Sequence, residues 1–226
     1  MKITYLGHSC FLVETSSHRI LFDPFLDGNP TASCKAGDVH CDAILISHGH
    51  EDHTGDALEI AKANNALIVA NYEIAEYLGA QGARTHGMNP GGAFTFPFGR
   101  VKLTTARHSS SVNAGLNPTY LGEPCGIILE ADGKRIHHAG DTALFLDMQL
   151  AARGGLDLAM IPIGDNFTMG PEDALEALDL LKPTLAIPMH YNTWPLIAQD
   201  ATAFAQAAGA RGHPVNPLKP GECVKI

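Results

Sequence analysis

The stretch Ala43-Ile44-Leu45-Ile46-Ser47-His48-Gly49-His50-Glu51-Asp52-His53 carries most of what this chain says about itself. Its first five residues form a short apolar run, fit for a strand buried on both faces. The next six contain His48, His50, Asp52 and His53, four ligand-type side chains in one turn of chain. A loop leaving the carboxyl end of a buried strand can aim several side chains at one point, where α/β proteins usually bind ligands. Imidazole and carboxylate groups gathered this way suit a transition metal at roughly 2.0–2.2 Å. A His-rich surface turn is the plain alternative, and the helix-breaking context and remote partners weigh against it.

Working outward, the chain reads as alternating strands and helices. Lys2–Leu6, Phe11–Glu14 and Arg19–Phe22 read as strands, with Ser16-Ser17 as a hairpin turn and Asp23-Pro24 as a stop. A helix over Gly55–Asn64, a strand over Leu67–Ala70 and a helix over Tyr72–Leu78 follow. Residues 86–92 read as a turn, Ala93–Phe96 and Val101–Thr105 as a hairpin, and Ser109–Pro124 as a loop beside the site. Gly126–Glu130 and Arg135–His138 form another strand pair, then a helix covers Leu144–Arg153. Leu158–Ile161 and Leu185–Pro188 are strands around a helix at Glu172–Leu181, begun by Pro171. A helix from about Leu196 to Ala208 and a strand near Cys223–Lys225 finish the chain. The pattern of hairpins followed by strand–helix alternation occurs twice, so two similar halves are expected. No linker composition divides residues 1–226, which read as one domain.

Three more ligand-type residues share one format: each lies just after an expected strand. His108 follows Val101–Thr105, Asp141 follows Arg135–His138, and His190 follows Leu185–Pro188. Each alone is weak evidence. Together with the six-residue cluster, in this order, they are specific.

At these residues the chain resembles the metallo-β-lactamase superfamily. The resemblance extends to Gly7-His8-Ser9-Cys10-Phe11, Phe22-Asp23-Pro24-Phe25, Ala106-Arg107-His108-Ser109-Ser110, Gly140-Asp141-Thr142 and Met189-His190-Tyr191-Asn192-Thr193. These segments are similar to a bacterial and archaeal subgroup of metal-dependent hydrolases related to ascorbate-6-phosphate lactonase. The resemblance implies an αββα sandwich: two mixed β-sheets face to face, helices outside, metals at one edge. It also implies two divalent metal ions, zinc by default, with manganese or iron admitted by the donor set. One metal would take His48, His50 and His108; the other would take Asp52, His53 and His190; Asp141 would bridge them. Coordination left open at such a pair marks a catalytic site, and the implied nucleophile is a metal-bridging hydroxide. Asp52 is also the candidate to orient that nucleophile or protonate a leaving group.

Asp23 is the candidate to fix the tautomer of a ligating histidine, as carboxylates behind metal sites do; a strand-ending Asp-Pro turn is the alternative. His8 either lines the site, holds a ligand, or is a hydrogen-bonded structural residue. Thr142, Asn192, Asn113 and Asn166, with Phe167 and Thr168, are expected near a substrate. Trp194, the only tryptophan, either walls the pocket or packs under the last helix. At most one of His137 and His138 faces inward, because neighbours alternate along a strand.

Charge and length narrow the substrate. Lys+Arg total 15 against Asp+Glu 24, a formal net charge of −9. That balance disfavours nucleic acid and anionic membrane as partners. Only 48 residues separate Asp141 from His190, too few for the second domain that nucleases of this superfamily carry there, and 36 follow His190, too few for a helical glyoxalase-type addition. No apolar run reaches the ~18 residues of a membrane span, and Met1–Tyr5 is not the start of a signal peptide. Five cysteines without regular spacing suit free thiols in a reducing cytoplasm. The expected function is hydrolysis of a small-molecule ester, lactone or related bond by a cytoplasmic homo-oligomer. A phosphodiesterase acting on nucleotides or lipid head groups is the second enzyme reading, and a metal-binding sensor with little catalysis is the reading from another class.

Overall fold

The computed structural model describes residues 1–113 and 117–226. The chain begins with the meander β1 (Lys2–Gly7), β2 (Cys10–Glu14) and β3 (Arg19–Phe22), then adds β4 (Ala43–Leu45). One helical turn, α1 (Glu51–Thr54), leads to α2 (Ala57–Asn64), β5 (Leu67–Asn71), α3 (Tyr72–Gly79) and β6 (Arg84–Met88). The second half starts with β7 (Ala93–Phe96) and β8 (Gly99–Thr105). A small ribbon of β9 (Ser111–Val112) and β10 (Thr119–Tyr120) precedes β11 (Cys125–Ala131) and β12 (Lys134–His138). Then come α4 (Met148–Ala151), β13 (Leu158–Pro162), α5 (Pro171–Leu181), β14 (Leu185–Met189), α6 (Ala201–Ala210) and β15 (Cys223–Lys225).

Two large sheets result. One is ordered β15-β1-β2-β3-β4-β5-β6 and the other β14-β13-β12-β11-β8-β7. Each has an antiparallel meander followed by parallel strands: β3 to β6 in the first, β12 to β14 in the second. The two halves are therefore alike in topology, as the repeated pattern of elements implies.

The alternation of β4 shows why its run is apolar throughout. Ala43 and Leu45 join the cluster between the sheets, with Phe11, Phe22, Leu103, Ile127 and Met160. Ile44 and Ile46 point the other way, into the layer beneath α2 and α3 with Ile60 and Ile74. A strand covered on both faces gains about 1.5–3 kcal/mol from each large apolar side chain and has no polar position to spare. The second sheet packs its outer face against Leu178, Leu181 and Phe204 of α5 and α6. This is the αββα sandwich.

Four local expectations are revised. The first three residues of the turn expected over 86–92 belong to the strand Arg84–Met88: as the edge of its sheet it pairs with β5 alone and shows no apolar run. Glu51–Thr54 is helical, so the ligand-rich segment is a loop only as far as His50, which caps the turn. The helix expected over Leu144–Arg153 is the single turn Met148–Ala151. The last helix starts at Ala201 rather than Leu196, because the Asp200 side chain accepts from the amides of Thr202 and Ala203. No described helix is long and apolar enough to cross a membrane.

Strand direction is what positions the site. The strands β1, β3, β4, β8, β12 and β14 all run toward the same edge, and the segments after them carry His8, Asp23, His48, His108, Asp141 and His190.

Candidate metal centre

At that edge the backbone turns sharply. His8, Asp23 and His190 have φ of 57°, 41° and 55°, in the left-handed region, and all three are buried. Such conformations cost free energy away from glycine and persist where surroundings hold them. Gly140, with φ of 63°, makes the same turn before Asp141; a Cβ there would meet the Cys125 carbonyl oxygen at 2.6 Å. A Cβ on Gly164 would overlap the carbonyl oxygen of His190. Each turn folds a side chain back over the strand ends.

Among the described residues three groups of ligand atoms form, and one of them, Asp23 with His48 and His53, shares a histidine with each of the other two. His48, His50 and His108 place one ligand atom each within 4.8 Å of one another. His8, Asp52, His53 and His190 do the same. Asp141 stands between them: Oδ1 is 3.3 Å from His53 Nε2, while Oδ2 is 3.0 Å from His190 Nε2 and 3.6 Å from His108 Nε2. His48 Nε2 lies 3.9 Å from the same Oδ2. Four of the six other residues with the motif spacing thus face the Asp141 carboxylate.

A further layer fixes the imidazoles. Asp23 accepts from His53 Nδ1 at 2.7 Å and from the Ser47 amide at 2.8 Å. The Ser47 hydroxyl donates to Oδ2, the carboxylate oxygen that also accepts from His53, and His48 Nδ1 lies 3.0 Å from that hydroxyl oxygen. With Ser47 donating to Asp23, its oxygen accepts from His48 Nδ1–H. One carboxylate therefore sets two tautomers and leaves both Nε2 lone pairs facing the site, the arrangement typical behind metal-binding histidines. His8 plays a parallel part on the other side. Its Nε2 is 3.1 Å from Asp52 Oδ2 and its Nδ1 is 2.7 Å from Thr193 Oγ1. The hydroxyl of Thr193 donates to Nδ1, so Nε2–H donates to Asp52. Burial pushes the His8 pKa down to about 4, which keeps it a neutral donor.

The residues fit divalent cations. His53 Nε2 and Asp141 Oδ1 are buried and make no hydrogen bond. Burial alone would raise the Asp141 and Asp52 pKa values, but neighbouring histidines hold both below the usual carboxylate range. Burial likewise opposes charge on His190, yet Asp141 pulls its pKa up to about 9. Carboxylates held ionised among buried imidazoles are a donor set that suits a cation.

The set opens into a cavity of about 600 Å³, lined by His50, Asp52, His108, Ser109, Asp141, Phe167, His190, Trp194 and Leu196. Trp194 walls the cavity and contacts Phe25 and His8, with ring centroids 6.0 and 5.1 Å away; it does not pack under α6. The polar residues expected in the wall sit elsewhere. Thr142 Oγ1 accepts from the Arg107 amide and donates to the Ala143 carbonyl. The Asn192 side chain bridges the backbone of Gln199. Asn113 lines a separate groove with Phe25 and Glu51, and Asn166 is exposed in a turn. Of the loop expected beside the site, Ser109–Pro124, Ser109 alone lines the cavity among the described residues; residues 114–116 lie outside them. His137 and His138 are both buried, because both faces of their sheet are covered; His138 lies between the sheets, its ring stacked on Phe22.

Residues 18–191 match the family model described as a Beta-lactamase superfamily domain. The chain belongs to the metallo-β-lactamase superfamily. Within it the chain is similar to the UPF0173 metal-dependent hydrolase of Pelotomaculum thermopropionicum, at 53% identity over 229 residues and 100% of both chains. It is 51% identical to the UPF0173 metal-dependent hydrolase of Opitutus terrae, again over 100% of both. Among solved structures, the metallo hydrolase Igni18 from Ignicoccus hospitalis superposes with a TM-score of 0.90 at 38% identity, covering 99% of this chain and 97% of that one. This member of the superfamily is a metal-dependent hydrolase, and its reaction needs a divalent metal.

Proposed function

We propose that the protein hydrolyses an ester, lactone or related bond of a small molecule at a two-metal centre. His48, His50 and His108 would hold one ion, Asp52, His53 and His190 the other, with Asp141 shared. The observation that carries this reading is that Asp141 faces His48 and His108 of one group of ligand atoms and His53 and His190 of another, beside one cavity. When bound, the ions supply Lewis acidity, which polarises a carbonyl and acidifies water at neutral pH. Zinc is the expected metal, since imidazole-rich sites with an open position suit it.

The protein's own groups do the rest. Asp23 holds His53 and His48 in the tautomers that present Nε2. His8 holds Asp52 by one oxygen, and Asp52, which lines the cavity, is placed to accept the proton of the attacking water at its carboxylate. The acyl carbon gains the hydroxyl of water as its bond to the leaving oxygen breaks, and the proton held by Asp52 goes to that oxygen. Trp194 and the apolar residues beside it limit water at the substrate's other end.

The test joins metal content to turnover. Purified wild type should carry about two metals per chain and cleave simple lactones or esters; Asp141→Ala should lose most metal and activity. One metal per chain, unchanged by the substitution, would remove the shared-carboxylate reading. Turnover of phosphodiesters alone would replace the ester reading with a phosphodiesterase.

A further inference from the structure

The cavity is polar on one side only. Of its nine lining residues, five belong to the proposed ligand set, and beyond them stand Ser109, Phe167, Trp194 and Leu196. None is Lys or Arg. The undescribed residues 114–116 are Ala, Gly and Leu, so they bring no cation either. Arg107 is next to His108 in sequence, but its guanidinium lies over the Phe145 ring, 5.9 Å from the centroid. Phe145 lines a different cavity, behind the metal edge with His137 and Met148.

The apolar rim is exposed at a cost. Phe167 and Leu196 are 53% and 61% exposed. Phe167 follows Asp165 and Asn166, with φ of 62° and 48°, two successive left-handed residues that turn the chain at the cavity mouth. Leu196 sits in the short 3-10 turn Pro195–Ile197. Two loops from different parts of the chain thus present large apolar groups to one cavity. Exposed apolar groups placed together at a cleft mark a binding surface.

Resting on the proposed hydrolytic site, we infer that the substrate is uncharged away from its scissile bond and carries an alkyl or aryl group there, held by Phe167, Trp194 and Leu196. A phosphoryl or carboxylate group at that end would lose water and meet no cation in return. Recognition of such groups ordinarily uses an arginine fork or a lysine. The net charge of −9 adds repulsion at long range. The reading therefore sets this chain apart from enzymes that recognise a phosphorylated sugar by its phosphate.

The test uses matched substrates with the metal-loaded protein. p-Nitrophenyl hexanoate and the mono-p-nitrophenyl ester of adipic acid have the same length and differ in a terminal carboxylate. The hexanoate should be preferred at least tenfold in kcat/KM. From acetate to hexanoate, kcat/KM should rise by roughly two- to fourfold per methylene. Phe167→Ala and Leu196→Ala should each flatten that rise, and Leu196→Lys should shift preference toward the adipate. Equal or better turnover of the adipate, or a chain-length slope unchanged in both alanine variants, would overturn the inference. If no ester is cleaved, the hydrolytic reading fails separately, and binding decides the inference. Trp194, the sole tryptophan, reports occupancy by its fluorescence. Saturable change with N-methylhexanamide, absent with the monomethylamide of adipic acid, supports the inference; the reverse result contradicts it.

Discussion

The floor and the rim of the cavity are built on opposite terms. At the floor, His53, His48 and Asp23 are fully buried, and Asp23 is tied to both imidazoles, directly or through Ser47. At the rim, Phe167 and Leu196 stand half or more in solvent, and their side chains carry no polar atom to tie them down. The floor is tied by hydrogen bonds because a buried charge is tolerated only when neighbours complete them. The rim can vary because an exposed apolar side chain contributes little to folding. The proposed metal chemistry belongs to the first region, and the proposed choice of substrate to the second.

The comparison can be broken by experiment, and metal removal should have the largest effect. At free metal about 100 times Kd, each ion stabilises the folded chain by about 2.7 kcal/mol. For a chain of this size that corresponds to roughly 5–10 °C in Tm per site. Differential scanning calorimetry with and without chelator reads it directly, and an unchanged Tm would mean that the floor does not depend on metal. Next comes Asp23→Ala, which frees both tautomers. Metal affinity should fall roughly 10–100-fold, as for other groups that orient metal-binding histidines, measured by competition with a chromogenic chelator. An affinity within twofold of wild type would show that the Asp23 network only supports the fold. Thr193→Val leaves His8 Nδ1 without its donor and should cost about 1 kcal/mol in urea unfolding. The smallest stability effect belongs to the rim: Phe167→Ala should stay within about 0.5 kcal/mol of wild type, while changing the substrate chain-length profile. A large loss of stability there would erase the distinction between the two regions.

The same contrast explains what the sequence reveals. Metal chemistry needs particular residue types, and strands that run to one edge deliver them just after they end, so His48, His108, Asp141 and His190 stood out as a set although each alone was weak. Asp23 was open to the same reasoning, since it ends β3 as His48 follows β4. The rim offered no such signal. Trp194 could equally have been core, and only the three-dimensional turn after His190 puts it in the cavity wall. Polar residues near ligands in sequence were misleading for a physical reason. Thr142 and Asn192 spend their hydrogen bonds on the backbone of the tight turns that aim Asp141 and His190. Strand β6 was hidden in the same way: an edge strand with one partner needs no continuous apolar run.

The central claim is that Asp141 joins two metal positions. Anomalous diffraction from crystals grown with zinc tests it most directly. The account predicts two peaks about 3.5–4 Å apart, one against His48, His50 and His108, the other against Asp52, His53 and His190, with Asp141 touching both. A single peak at full occupancy, or a peak held by Asp23, His48 and His53 instead, would contradict it.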